Sequence, residues 1–203
     1  MPLDIPPELH MVESFAHSAD AETGADDFDS ATRFGRWLAA HGYPPAVEPD
    51  EDQLAFAVGF RAALWVELMA HHGGDPEESA RARAELDDYA ASVVLRAVFG
   101  DGPARLAGIG EGFERMIGDV VGEMVVAERE GTWRRLKICR EDTCRAVYFD
   151  RSKNSSKTWC SMAICGNRNK TRSYRVRQRE VPAPPPPMPL DPPSPPAAPT
   201  PPA

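Results

Sequence analysis

The chain has 203 residues, room for one medium domain and a small one, and carries a net charge of −8. No run of apolar residues approaches bilayer length. The opening residues, MPLDIPPELHMVESF, lack the basic start and apolar stretch of a secretory signal, so a cytoplasmic chain with reduced thiols is expected. The net charge hides a split: residues 134–179 hold 14 Lys and Arg against three acids, +11, which leaves −19 for the remainder. Such segregation suggests a basic module that meets an anion, carried by an acidic body.

Residues 8–18 (ELHMVESFAHS) suit a short helix. Asp29 or Ser30 caps a second, in which Phe34, Trp37 and Leu38 share a face and Gly42 ends the run. Pro44, Pro45 and Pro49 mark a loop. A third helix runs from about Glu51 to His71, with Leu54, Ala57, Phe60, Leu64 and Leu68 at the helical period and Gly73-Gly74 as its stop. Asp75-Pro76-Glu77-Glu78 supplies a cap, a first-turn proline and acids for a fourth helix to about Ala90. SVVLRAVF, the turn GDGP and ARLAGI read as a β-hairpin within 92–109. A last helix at about 111–130 buries Phe113, Met116, Ile117, Val120, Val121 and Met124.

Residues 1–131 are therefore expected to form a mainly α domain with a small β-hairpin. It shows no internal repeat, phosphate loop or Ser/His/Asp arrangement, so the expectation is a non-catalytic domain that senses a ligand or forms a homodimer. His71 and His72 diverge by about 100° on a helix and read as a solvated helix end. His10 and His17 read as packing or surface residues.

All four cysteines fall in one segment: Cys139-REDT-Cys144, then, after 15 residues, Cys160-SMAI-Cys165. Two close thiolate pairs joined by a folding segment are what a tetrahedral Zn²⁺ site needs, and a single zinc per chain is expected. An iron–sulfur cluster in a redox sensor, or free buried thiols, are the rival readings. AVYFD alternates like a strand, RSKNSS turns, and KTWC returns as a second strand, before a helix whose first turn carries the last two ligands. This is a treble-clef arrangement over 134–180, with Trp159 packed beside the metal and Gly166 allowing a tight turn. Four thiolates on Zn²⁺ leave a formal −2, which nearby basic residues offset.

On that last helix Arg168, Arg172, Arg175 and Arg179 fall within a stripe about 60° wide, with Lys170 and Arg177 on the far side. Between Cys165 and Glu180 only Tyr174 and Val176 are apolar. So polar a helix is held by a polyanion or by solvent. Arginine forks match phosphate oxygens, which points to nucleic acid: DNA, or RNA with the same chemistry. Asn167 caps the helix or reads a base edge. A nuclease is disfavoured, because no histidine follows His72.

The run from Cys139 through FDRSKNSSKTWCSMAICGNRNK closely resembles the CGNR zinc-finger family, named for the motif met here as Cys165-Gly166-Asn167-Arg168. The resemblance covers about 135–179. Residues 12–42 look like the start of the ABATE domain that precedes this finger in the family, which carries Asn-Thr where this chain has His17-Ser18. It implies a DNA-binding finger and a sensory or scaffolding N-terminal domain, in a group described as stress-induced transcription regulators of bacteria. The tail, 181–203, holds 13 of the 21 prolines and is expected to be a disordered, extended spacer.

Overall fold

Helix α3 (Glu51–Ala70) organises the fold, and its start is set locally. The Asp50 carboxylate accepts the N–H of Gln53 at 2.8 Å while the Gln53 side chain accepts that of Asp50 at 3.2 Å. Two donors that a helix end leaves open are thereby satisfied. Ala57, Phe60, Leu64 and Leu68 recur at helical spacing, and Arg61, Ala63 and Glu67 are buried with them, while Ala55, Val58, Ala62 and Val66 form an exposed stripe along the other side. By length and composition its 20 residues are apolar enough to cross a bilayer, although no unbroken apolar run marks it in the sequence. Its buried charges have protein partners, Arg61 with Asp26 at 2.6 Å and Glu67 with Arg83 at 2.7 Å, which is how a central core helix is built.

The computed structural model describes residues 5–73, 75–100 and 102–180, the side chains of 179 and 180 excepted. The proline-rich spacer expected over 181–203 lies outside the described residues. A 3-10 turn (Pro7–Leu9) leads into α1 (His10–Ala16), and α2 (Ala31–Ala40) follows. α4 (Pro76–Ala90) starts where Asp75 accepts the N–H of Glu77 at 2.9 Å, and α5 (Gly112–Glu130) ends at Gly131 with a left-handed φ of 71°. Strands β1 (Leu95–Val98) and β2 (Arg105–Gly108) pair antiparallel, Leu95 opposite Gly108. The mainly α domain with one small hairpin is as the sequence predicts.

Phe15, Phe28, Phe34, Trp37 and Phe60 form an aromatic knot in the core, with Phe28 edge-on to Phe34 at 4.7 Å and to Trp37 at 5.2 Å. Buried Ser18 donates its hydroxyl to the Phe15 carbonyl at 2.8 Å and accepts from Arg61 at 2.8 Å.

The hairpin rests on α5 through glycines. A methyl group on Gly118 would lie 2.2 Å from the Gly108 Cα, and one on Gly122 2.9 Å from the Leu106 carbonyl oxygen. Gly118→Ala should therefore destabilise the protein by about 1–3 kcal/mol by forcing strand and helix apart. Thermal denaturation measures this, and an unchanged melting temperature would refute the close seam.

The second strand pair departs from expectation. β3 (Leu136–Ile138) pairs antiparallel with β4 (Val147–Phe149), Leu136 opposite Phe149. KTWC forms no strand, because the Asp150 carboxylate takes up the N–H groups of Ser152 (2.9 Å) and Lys157 (2.8 Å) and folds 151–157 into a tight loop. Trp133, Leu136, Ile138, Val147 and Phe149 belong to the same apolar core as Val12, Leu64 and Leu68, so the core runs across 131–134.

His71 and His72 are not a solvated helix end. His71 Nδ1 donates to the Leu136 carbonyl at 2.7 Å and His72 Nε2 to that of Ile138 at 2.8 Å. Their divergence lets them bond alternate carbonyls on the outer edge of β3. His71 Nε2 also meets the buried Glu67 at 3.3 Å. Burial pushes the Glu67 carboxyl up, but His71 and Arg83 outweigh it and hold it down at about 2. His10 and His17 are surface residues, as expected.

Candidate metal centre and nucleic-acid interface

β3 delivers Cys139 into a turn in which the N–H groups of Cys144 and Arg145 bond the Glu141 carbonyl at 2.8 and 3.1 Å. Arg145 takes a left-handed φ of 49°, which turns the chain so that the N–H of Cys139 meets the Ala146 carbonyl at 2.8 Å. The first cysteine pair is thus a knuckle on the end of the β3–β4 ladder. The second pair comes from a π-helical turn (Met162–Gly166), in which Ser161 accepts the N–H of Ile164 at 3.3 Å. Cys160 precedes that turn and Cys165 lies within it. The helix after it, α6 (Asn167–Glu180), therefore starts beyond both ligands instead of carrying them in its first turn.

The four sulfurs lie within 4.8 Å of one another, Cys144 to Cys160 at 3.6 Å and Cys160 to Cys165 at 3.7 Å. A disulfide needs about 2.05 Å, and all four thiols are free. A tetrahedron of thiolates about 2.3 Å from a central Zn²⁺ has edges of about 3.8 Å, so the cage suits one tetrahedral ion. A cluster with several irons and bridging sulfides between the thiolates requires a wider cage.

Cys139 is fully buried and Cys165 nearly so. Hydrogen bonding from the Cys160 thiol, aided by the N–H groups of Cys160 and Glu141, pulls the Cys139 thiol down to about 5 against the effect of burial. Burial and the neighbouring sulfurs push Cys165 up to about 12, and the Cys139 thiolate pushes Cys160 up further. One negative charge is tolerated and more repel, a donor set that a divalent cation would complete. Trp159 and Tyr148 pack against the sulfurs, as expected for Trp159. Gly166 has no left-handed φ. A methyl group there would lie 2.5 Å from the sulfur of the exposed and flexible Met162 side chain, which can move aside, so neither a tight turn nor close packing demands glycine at this position.

Two family models match. One, "CGNR zinc finger", covers residues 135–178. The other, ABATE, described as "Putative stress-induced transcription regulator", covers 9–115, more than half of the chain. The chain belongs to the ABATE family. No curated protein matches it. The ABATE domain and the CGNR finger follow one another in the order that the sequence resemblance implies, and the finger's name agrees with a metal-binding cage of four thiolates.

α6 leaves the cage of the CGNR finger with its arginines in the expected stripe. Arg168, Arg172 and Arg175 share one face with Asn167 and Thr171, lining an open groove of about 610 Å³. Lys170 and Arg177 are exposed on other sides, and the side chain of Arg179 lies outside the described residues. Two members of the stripe already have carboxylate partners. Arg168 meets Glu22 of the ABATE domain at 2.9 Å, and Arg172 meets Asp142 at 3.8 Å and the fully buried Glu141. Arg175, Arg177 and Lys170 form no ion pair among the described residues. The Asn167 side chain donates to the Ala163 carbonyl at 2.9 Å, which ties α6 to the π-helical turn.

No sequence pattern marks out Lys137 and Asp150. Both are fully buried and meet at 2.8 Å beneath the 151–157 loop, where Lys137 also donates to the Ser155 carbonyl. Burial pushes the Asp150 carboxyl up, but Lys137 and the Ser152 and Lys157 donors hold it down at about 2. Its folded value lies below the unfolded value of about 3.9, so this stabilisation is present above about pH 4 and is lost as pH falls towards 2. Lys137→Met strands a buried carboxylate and should cost about 3–5 kcal/mol in urea denaturation. Adding Asp150→Asn, which removes the stranded charge and keeps an oxygen for the loop N–H groups, should recover part of that. Equal stability of Lys137→Met and wild type would refute the pairing.

Proposed function

We propose that this protein is a transcription regulator that holds one Zn²⁺ per chain through Cys139, Cys144, Cys160 and Cys165 and binds DNA with α6. The observation that carries the reading is the junction of cage and helix: the ligand turn opens straight into α6, whose Arg168, Arg172 and Arg175 share one grooved face. The bound metal ion would fix the start of α6, and its charge would neutralise the thiolates that otherwise repel one another. Arg168, Lys170, Arg172, Arg175, Arg177 and Arg179 then supply the phosphate contacts. Asn167 holds the helix to the ligand turn, and base reading by it would cost its bond to Ala163. The ABATE domain works as a sensor or dimerisation element in the cytoplasm and performs no catalysis.

Zinc-loaded protein, incubated with a random duplex DNA pool and with RNA of matching sequences, tests this. Enrichment of a DNA consensus that vanishes on chelation is expected. Retention of RNA alone, or of neither, would overturn the DNA reading.

A further inference from the structure

A cleft of about 480 Å³ lies between the Pro7–Leu9 turn, the β1–β2 hairpin and α5, apart from both the thiolate cage and the α6 face. Its volume is within the usual range for small-molecule sites. Asp119 and Glu123, one helical turn apart on α5, line its interior, and the exposed Glu8 and Glu130 add two further carboxylates. Arg105 is the one basic residue among those lining it, and Arg115 approaches Asp119 at 4.0 Å from outside the lining, so four carboxylates outnumber two guanidiniums and the cleft is negative.

The two inner carboxylates are held in place. Asp119 accepts the Tyr43 hydroxyl at 2.8 Å on one oxygen and the Gly108 N–H at 2.9 Å on the other. Glu123 Oε2 accepts the N–H groups of Met11 and Val12, at 3.0 and 2.9 Å, at the start of α1. Its Oε1 has no hydrogen-bond partner among the described residues. Pro103, Leu106 and Val126 give the remaining wall an apolar surface. Such a surface offers nothing to a bare metal ion, which seeks several converging oxygens. It suits a hydrocarbon.

We propose that this cleft binds a small organic cation, a protonated amine whose ammonium sits between Asp119 and Glu123 and whose apolar body lies on Pro103, Leu106 and Val126. The electrostatics agree. Burial, with Asp119 and Glu8 near, pushes the Glu123 carboxyl up to about 7 although two backbone N–H groups bond it. An ammonium would relieve that crowding of negative charge. The proposal stands independently of whether α6 meets nucleic acid.

Calorimetric titration of the metal-loaded full chain tests it, with 3-phenylpropylammonium, cyclohexylammonium and 1,6-diaminohexane as amines. The neutral 3-phenylpropanol and the anionic 3-phenylpropanoate are the controls. At least one amine should bind saturably, and at least tenfold more tightly than either control. Asp119→Asn and Glu123→Gln should each weaken it at least tenfold, and Arg105→Ala, at an exposed position, should tighten it. Glu123→Gln keeps an oxygen for the α1 donors. If it nevertheless fails to fold, Asp119→Asn and Arg105→Ala decide. No amine binding into the millimolar range, equal binding of the controls, or amine binding unaltered in the folded variants would overturn the proposal.

Discussion

Cys165→Ser is expected to abolish metal binding and melt α6 while leaving α1–α5 folded. Cys165 is nearly fully buried and lies 3.7 Å from Cys160 inside the π-helical turn, so it is both ligand and hinge of the second half of the cage. A serine hydroxyl is a poor replacement for a thiolate, and three remaining thiolates hold Zn²⁺ far less tightly. Structural zinc supplies apparent folding free energy of about 10–16 kcal/mol in isolated fingers, so the local loss is decisive. It should nevertheless stop at about residue 150, because Leu136, Ile138, Val147 and Phe149 belong to the main core and His71 and His72 hold the edge of β3. Elemental analysis should give one zinc per wild-type chain and none in the variant. Hydrogen exchange should show protection lost over 160–180 and kept over 136–149. Retained metal, or collapse of the whole chain, would refute this account.

Reversing Arg175 and Arg177 to Glu should weaken DNA binding to all sequences alike. With about five phosphate contacts, log K falls with log salt at a slope near −4.5, so affinity drops about 500-fold between 50 and 200 mM salt. Loss of two contacts brings the slope near −2.7 and the drop to about 40-fold. These two positions give a clean test because they form no ion pair among the described residues. Arg172→Glu would instead face Glu141 and Asp142 and loosen α6 itself. Fluorescence anisotropy over a salt series measures the slopes. A double variant with the wild-type slope, zinc content and helicity would remove phosphate binding from this part of α6.

Much of the fold and of the cage is legible in the sequence, because it rests on local patterns. The 3.6-residue period of Ala57, Phe60, Leu64 and Leu68 marks α3, the Asp75-Pro76 start marks α4, and the paired cysteines mark the cage. The features that escape a sequence reading depend on partners distant in the chain. His71 and His72 read as surface because nothing nearby in sequence tells of Leu136 and Ile138. KTWC has strand composition, yet Asp150 claims the N–H groups that a ladder needs. Glu141 and Asp142, between the first two cysteines, are the visible hints that Arg172 has protein partners. Glu22, 146 residues from Arg168, gives none.

The passage of β3 and β4 into the main core decides where the chain can be divided. A cut after Gly131, at the end of α5, would bare Leu64 and Leu68 on one fragment and Leu136, Ile138, Val147 and Phe149 on the other, leaving both sticky. A transplant of the CGNR finger onto another protein would take that greasy underside with it and lose the His71 and His72 clasp. The CGNR finger is therefore not a bead on a string. Its first half is a cornerstone of the main core, and the segment beyond Asp150 is fastened to that half by the shared thiolate cage and by the bonds of Lys137 and Tyr148 to its loop.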